Sequence, residues 1–531
     1  MCVVPLLLVV FFFLVCVGVG GGGGGVGGPP PPDARVLRIG NGGEPETLDP
    51  HRYNLRLEET ILNDLFVGLT TFDAHGNIVP GAAERWSVSD DGLTWTFELR
   101  AEGKWSDGHP VTARDFVYAF RRLLDPRTAA SLAHFMYPIA NAAAVNAGEQ
   151  PPEALGVRAP SERTVVVDLE RPFPFFAERL IYPTGYPVPA HAIERLGDRW
   201  VKPGRMVSNG AFVLEDWQPH AHIDLRPNPH FHDIDSVALS GVRYLPTADS
   251  YAAFNRYRAG EIDAIGDFPS GEMDWVREHL ADHLRLTPLV SIMYLVFNVT
   301  KPPFDDARVR EALGIAIDRE LLTGRVMQSD EVPSPSLVPP MVPGYTSAVT
   351  VVETRGQRLE RARRLLAEAG YGSDNPLDVT LRYISGVESK RVQVAISAMW
   401  KDIGVVTTLH HTELKSHFAD LRQGDFEVAQ AGWFGENNPE HYLNLLVSDT
   451  GDVNYGRFAS AAFDALMDRA HAQADLGRRL ELLREAESVG LAEHPVTPLY
   501  AVTIRGLVNP RIGGWHANPR NVHGARYLYW K

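Results

Sequence analysis

Cysteine is almost missing from this chain: 531 residues carry two, Cys2 and Cys16. Beyond residue 16 that excludes a disulfide framework, a thiolate nucleophile and any Cys-ligated zinc or iron–sulfur centre. Positive charge is in deficit, with 51 Lys and Arg against 66 Asp and Glu and a net charge of −15. Binding to a phosphate backbone needs a basic stripe. Here the basic residues are scattered or set among acids, as in Glu360-Arg361-Ala362-Arg363-Arg364, so no nucleic-acid partner is expected. Catalytic signatures are lacking too. There is no Gly-x-Ser-x-Gly elbow, His-Glu-x-x-His pair, Walker loop or dinucleotide fingerprint, and an enzyme is not expected.

What is present is globular. Hydrophobic residues make up 44% and charged residues 22%, near ordinary usage, which excludes a disordered, collagenous or polytopic membrane chain. At ~150 residues per domain the length suggests about three domain-sized units. Residues 1–33 stand apart. An apolar run from Val3 to Val19 is followed by a glycine tract to Gly28 and by Pro29 to Pro32. An apolar core before small residues reads as a secretory signal, although no Lys or Arg precedes Arg35. An uncleaved anchor and a lipoprotein modified at Cys16 are the other two readings, since the run approaches the ~17–25 residues that span a bilayer.

After Asp33 the periodicities alternate. Val36 to Ile39 begin a strand, and Thr94–Leu99 places Trp95, Phe97 and Leu99 on one face of another. Thr112 and Asp115 form a capping-box pattern ahead of Phe116, Ala119, Phe120 and Leu123. Helical spacing recurs at Val309–Ile317, at Ala362–Ala369 before Gly370, and across 461–491 with a break near Ala474-Asp475. Strand-like runs at 165–169, 294–298 and 496–503 are interleaved with them, giving a mixed α/β chain of more than one lobe.

Histidines cluster at His220 and His222, at His230 and His232, and at His410, His411 and His417. The i, i+2 pairs could hold a metal from one face of a strand, but the prolines around Asn228-Pro229 favour exposed loops. Asp305-Asp306 reads as helix capping. The stretch Ala431-Gly432-Trp433-Phe434-Gly435-Glu436 sets aromatics beside glycines. That suits either a cleft that pairs with an extended ligand or a loop that buries one tryptophan.

Several segments in order resemble a known family. They are Glu46-Thr47-Leu48-Asp49-Pro50-His51, Pro80-Gly81-Ala82-Ala83-Glu84-Arg85-Trp86, Lys104-Trp105-Ser106-Asp107-Gly108, Asn209-Gly210-Ala211-Phe212, Gly260-Glu261-Ile262-Asp263, and the run from Pro303 to Leu313. Ala367-Glu368-Ala369-Gly370-Tyr371 closes the series. Together they resemble the extracytoplasmic oligopeptide-binding proteins of ABC importers, solute-binding protein family 5, from about Leu37 to the C-terminus.

The resemblance implies an α/β, two-lobe periplasmic-binding-protein (venus-flytrap) fold with an extra subdomain. Lobe I is discontinuous (34–67, 192–290 and 504–531), 68–191 form the subdomain, and 291–503 form lobe II. It implies a monomer that captures short peptides between its lobes in the periplasm and delivers them to permease subunits in the inner membrane. No cofactor or metal is implied. The peptide would pair as an added strand with Asn54-Leu55-Arg56 and with Gly432-Trp433-Phe434, and Glu436 would stand where the family's aspartate receives the α-ammonium. The family's basic carboxylate receivers fall on Leu421, Ser389 and Gln430, with Arg422 and Lys390 adjacent, and a cysteine pair of some members falls on Ser291 and Phe434. A nickel-chelate or haem binder on the same fold is the first alternative, and a secreted hydrolase the second.

Overall fold

The computed structural model describes residues 36–531. The expectations for the leader and for Cys16 lie outside the described residues. Among those described, no helix is long and apolar enough to cross a membrane.

Two large sheets organise two lobes. The first has seven strands, in the order Leu284–Pro288, Thr503–Val508, Ala264–Ile265, Val36–Gly40, Gly241–Leu245, His222–Pro227 and Phe212–Gln218. Val36–Gly40 runs parallel to both of its neighbours and the other pairs are antiparallel. Parallel central strands buried on both faces read as near-continuous apolar runs, as Val36-Leu37-Arg38-Ile39 nearly does. One face packs on the large core around Leu37, Val242 and Tyr244, and the other on a smaller core around Phe254, Phe268 and Val276.

The second sheet has six strands, in the order Val332–Pro333, Val496–Ala501, Ser291–Phe297, Val428–Phe434, Asp378–Ile384 and Val406–Thr412. Its two faces separate a core around Tyr294, Ala431 and Phe463 from one around Leu295, Leu313 and Trp400. A third sheet of four strands includes Thr94–Leu99 and Thr164–Asp168 and is covered by the helix Ala113–Leu124. The Asp115 carboxylate accepts from the Thr112 N–H at 2.7 Å, so the start of that helix follows from its local sequence. This subdomain shares one continuous core with the first lobe.

The run 496–503 is not one strand. It divides at Val502, between Val496–Ala501 of the second sheet and Thr503–Val508 of the first. Leu289 and Val290 make the reverse crossing, from Leu284–Pro288 to Ser291–Phe297. The crossings hold each other. Leu289 N–H donates to the Val502 carbonyl at 2.9 Å, and Val502 N–H donates to Ser291 Oγ at 3.0 Å. Two adjacent short crossings between large rigid layers have the form of a hinge.

Candidate functional site

The mouth between the lobes is built from four segments. On the first lobe, the helix Arg56–Leu65 begins at the cleft. Its N-terminus is organised by Glu58, which is buried. One carboxylate oxygen accepts from the N–H groups of Glu46 (2.8 Å) and Thr47 (3.2 Å), the other from those of Asn54 (2.8 Å) and Leu55 (3.0 Å). A carboxylate at a helix N-terminus satisfies orphan donors and complements the dipole. Leu55 C=O accepts from the N–H groups of Glu58 and Glu59. Among the described residues, that leaves the Asn54 carbonyl and the Arg56 N–H without a hydrogen bond. The Asn54 side chain bonds Ser131 of the subdomain, Leu55 is exposed, and Arg56 Nη2 donates to the carbonyls of Arg520 and Asn521.

The neighbouring Asp49-Pro50-His51 has a structural role. Arg122 from the subdomain helix reaches Asp49 with both terminal nitrogens, at 3.0 and 2.6 Å, and lies 2.8 Å from His51 Nδ1. Burial first, and then Arg122, push His51 down to about 3, so its ring stays neutral and can accept from the guanidinium.

On the second lobe, Val428–Phe434 pairs along its whole length with Ser291–Phe297, where Ser291 stands opposite Phe434. Among the described residues, only Val428 and Ala429 are paired along its other edge, with Leu381 and Arg382. The strand therefore leaves its sheet partner before Gly432 and carries an open edge there, the form in which an extended chain can be added. Close contacts require the glycines. A Cβ on Gly432 would stand 2.6 Å from Met293 Sδ, and one on Gly435 2.5 Å from the phenol of Tyr442. Tyr442 Oη and Gly435 N–H both donate to the Val290 carbonyl, at 2.7 and 2.9 Å, which ties this turn to the hinge. Trp433 is half-buried, edge-on to His441 at 5.6 Å, and its indole N–H has no partner among the described residues. Phe434 is 62% exposed.

Glu436 is only 3% exposed. Its Oε1 lies 3.1 Å from Arg179 Nη1 of the subdomain, within ion-pair distance but not aligned as a hydrogen bond. Burial pushes its carboxyl up, against the opposing pull of Arg179, Arg520 and His134. Its N–H donates to His441 Nδ1 at 3.1 Å. Burial and then Arg179 hold that imidazole down at about 3, in its neutral, accepting form. Beside it, Glu178 accepts from the Asn437 N–H at 2.9 Å and from Arg520. Subdomain, second lobe and C-terminal segment thus meet in one network of acids and guanidinium groups.

Among the described residues, two of the cavities along the first lobe reach this mouth. The larger, about 380 Å3, lies at the C-terminal ends of its strands, by Gly40 and Ile265, and is mostly apolar. That is the usual place for a ligand in an open α/β sheet, and the size is within the roughly 300–1,000 Å3 of small-molecule sites. The smaller, about 70 Å3, is lined by Arg56 from the first lobe and by Phe434 and Gly435 from the second. Arg56 and Glu59 line both. The structure thus brings Arg56 and Phe434 to one cavity. Trp433 and Glu436 line neither.

The remaining candidates divide. Leu421 is fully buried, and Ser389 accepts from Gln430 Nε2 at 3.4 Å, so these three positions carry no cation, while Lys390 and Arg422 are exposed. His220, with φ +62°, sits in the turn before the strand that begins at His222, and His417 is buried against the Gln430 carbonyl at 2.8 Å. Sequence reasoning missed Arg179, Arg520 and Arg505. Arg505, on the strand just past the hinge, reaches Asp267 at 3.3 Å and Glu388 of the second lobe at 3.0 Å. Nothing in local spacing marks them, because their partners lie 117 to 342 residues away in the chain.

Two lobes, two short crossings and an open strand edge at their mouth define a two-lobed solute-binding protein. Residues 77–454 match Bacterial extracellular solute-binding proteins, family 5 Middle, and the chain belongs to this family. It is 37% identical over 505 residues to the probable deoxycholate-binding periplasmic protein YgiS of Escherichia coli, covering 94% of each chain. It is 37% identical over 494 residues to the periplasmic oligopeptide-binding protein OppA of Salmonella typhimurium, covering 91% of this chain and 90% of that one. Among solved structures, the unliganded open form of the murein tripeptide-binding protein MppA matches with a TM-score of 0.85 and 34% identity, over 93% of this chain and 97% of that one.

Proposed function

We propose that this chain captures short peptides between its lobes in the periplasm and, as a monomer, hands them to the permease subunits of an ABC importer in the inner membrane. The observation that carries the reading is the open backbone edge at Gly432-Trp433-Phe434. The unpaired Asn54 carbonyl and Arg56 N–H supply the same kind of group on the first lobe. Backbone groups offered from both sides recognise an extended peptide irrespective of its side chains, and roomy pockets tolerate variety. Glu436 would receive the α-ammonium, joining Arg179 on the same carboxylate. The role is binding without catalysis.

The mostly apolar 380 Å3 cavity beside Arg56 favours one other reading, an amphipathic carboxylate such as the ligand named for YgiS. Thermal-shift titration separates the two. A ligand at ~100 times its dissociation constant adds about 2.7 kcal/mol to the folded state. Tri- to hexapeptides are expected to raise the melting temperature, and deoxycholate, a coordinatively saturated nickel chelate and haem to leave it unchanged. Stabilisation by deoxycholate alone would replace the peptide reading, and stabilisation by the nickel chelate or haem alone would move the chain to the chelate binders.

A further inference from the structure

Away from the cleft, the turn Lys104–His109 carries a cluster that the binding function does not use. Asp107 Oδ2 lies 2.8 Å from His191 Nε2 and Asp107 Oδ1 3.1 Å from His109 Nδ1, with the two imidazoles 4.6 Å apart between centroids. The three ligand atoms all fall within 4.8 Å of one another. None of these residues lines the cleft cavities.

The cluster rests on rigid elements. Trp105, fully buried, anchors the turn. Its N–H donates to the His109 carbonyl at 2.8 Å, the Gly108 N–H returns to the Trp105 carbonyl at 2.9 Å, and the Ser106 N–H bonds the Ser208 carbonyl at 2.8 Å. His191 stands in the first turn of the helix Ala190–Leu196. The ring of His230 lies over Gly108, 3.8 Å from where a Cβ would be, close to the same turn though outside the three-atom group.

We propose that Asp107, His109 and His191 form a site for a divalent late transition-metal ion, with zinc as the probe. Two imidazoles and one carboxylate are ligands that suit zinc, which binds nitrogen at about 2.0–2.1 Å and carboxylate oxygen at about 2.0–2.2 Å. Around a tetrahedral ion those bond lengths set ligand atoms about 3.4 Å apart. The contacts at 2.8 and 3.1 Å would open by roughly 0.6 and 0.3 Å, and any pair of ligand atoms wider than about 3.4 Å, up to the 4.8 Å limit, would close, by side-chain rotation at a partly exposed surface. A fourth position stays open to water or to His230. A bound ion would link the 104–109 turn to the helix at 190–196, outside the cleft.

Calorimetric titration of the chelator-stripped full chain with zinc tests this. The expected result is one ion per chain, with affinity at least about tenfold weaker in Asp107→Asn and lost in the His109→Ala/His191→Ala double variant. These groups are partly exposed, so the variants keep the fold, and an unchanged far-ultraviolet spectrum checks it. Peptide affinity is expected to be the same with and without zinc. No binding by the wild-type chain, or equal binding by the double variant through the other histidines, would overturn the proposal.

Discussion

Moving a carboxylate one methylene farther from the backbone changes what can reach it. Glu436 extends into the subdomain, where it meets Arg179; Arg179 in turn lies over the rings of Phe135 and Phe173, at 5.1 and 5.7 Å. The resemblance assigns this position to the ligand's ammonium, and the structure sets a guanidinium beside it before any ligand enters. A charge-assisted bond from an ammonium contributes about 1.5–3 kcal/mol. Glu436→Gln is therefore expected to weaken free peptides roughly ten- to hundredfold and N-acetylated peptides little, read by calorimetry. The same change leaves Arg179 facing a neutral amide in a buried place, which is destabilising, so urea midpoints go with the binding data. Equal losses for free and acetylated peptides would mean that Glu436 only holds the subdomain to the second lobe.

At the scale of elements, what was legible in the chain is what is local. The start at Thr112, the break before Asp475 and the capping by Asp306 rest on contacts within three residues: Asp475 accepts from Arg478 N–H at 2.8 Å, and Asp306 from Arg308 N–H at 2.9 Å. The close approach at the glycines beside Trp433 was not legible, because Met293 and Tyr442 arrive from other elements. The division at Val502 was hidden because both halves of the run are apolar and extended, and only tertiary pairing tells two strands in different sheets from one long strand. The guanidinium groups of the cleft were hidden for the same reason, and so was the arrival of His191 beside Asp107 and His109.

The strand edge makes its own prediction. Gly435→Ala places a methyl group against the Tyr442 phenol, which must move and so release its bond to Val290 at the hinge. Overpacking of this kind costs about 1–3 kcal/mol, and peptide affinity is expected to fall with it as the open edge shifts. Peptides N-methylated at successive amides test the edge directly. Successive amides of an extended chain point to opposite edges, so affinity should drop at the positions that face Gly432-Trp433-Phe434 or Asn54-Leu55-Arg56 and hold at positions beyond those segments. Little loss anywhere along the series would show that side chains, not the ladder, hold the ligand.

On the scale of the whole molecule, closure about the crossings at Leu289-Val290 and Val502, as proposed, would bring a ligand between surfaces of unequal charge. The N-terminal end of the proposed peptide track is crowded with acids and guanidinium groups. The far end, at Leu421, Ser389 and Gln430, is neutral. A cation at a fixed depth would reward a carboxylate at one distance along the strand, at ~3.3 Å per residue, and so select one peptide length. Without it the carboxylate stays hydrated or meets Lys390 and Arg422, which are exposed and screened, and such pairs contribute about 0–1 kcal/mol. Affinity is therefore expected to be nearly flat across lengths, with a penalty for C-terminal amidation of roughly 1 kcal/mol or less. Calorimetry on a graded series, each peptide with a free and an amidated terminus, reads both quantities. A sharp optimum abolished by amidation would contradict this and would point to Arg505. That side chain stands next to the hinge crossing and already spans from Asp267 to Glu388, so Arg505→Met should then flatten the series, whereas on the present account it leaves the length profile unchanged.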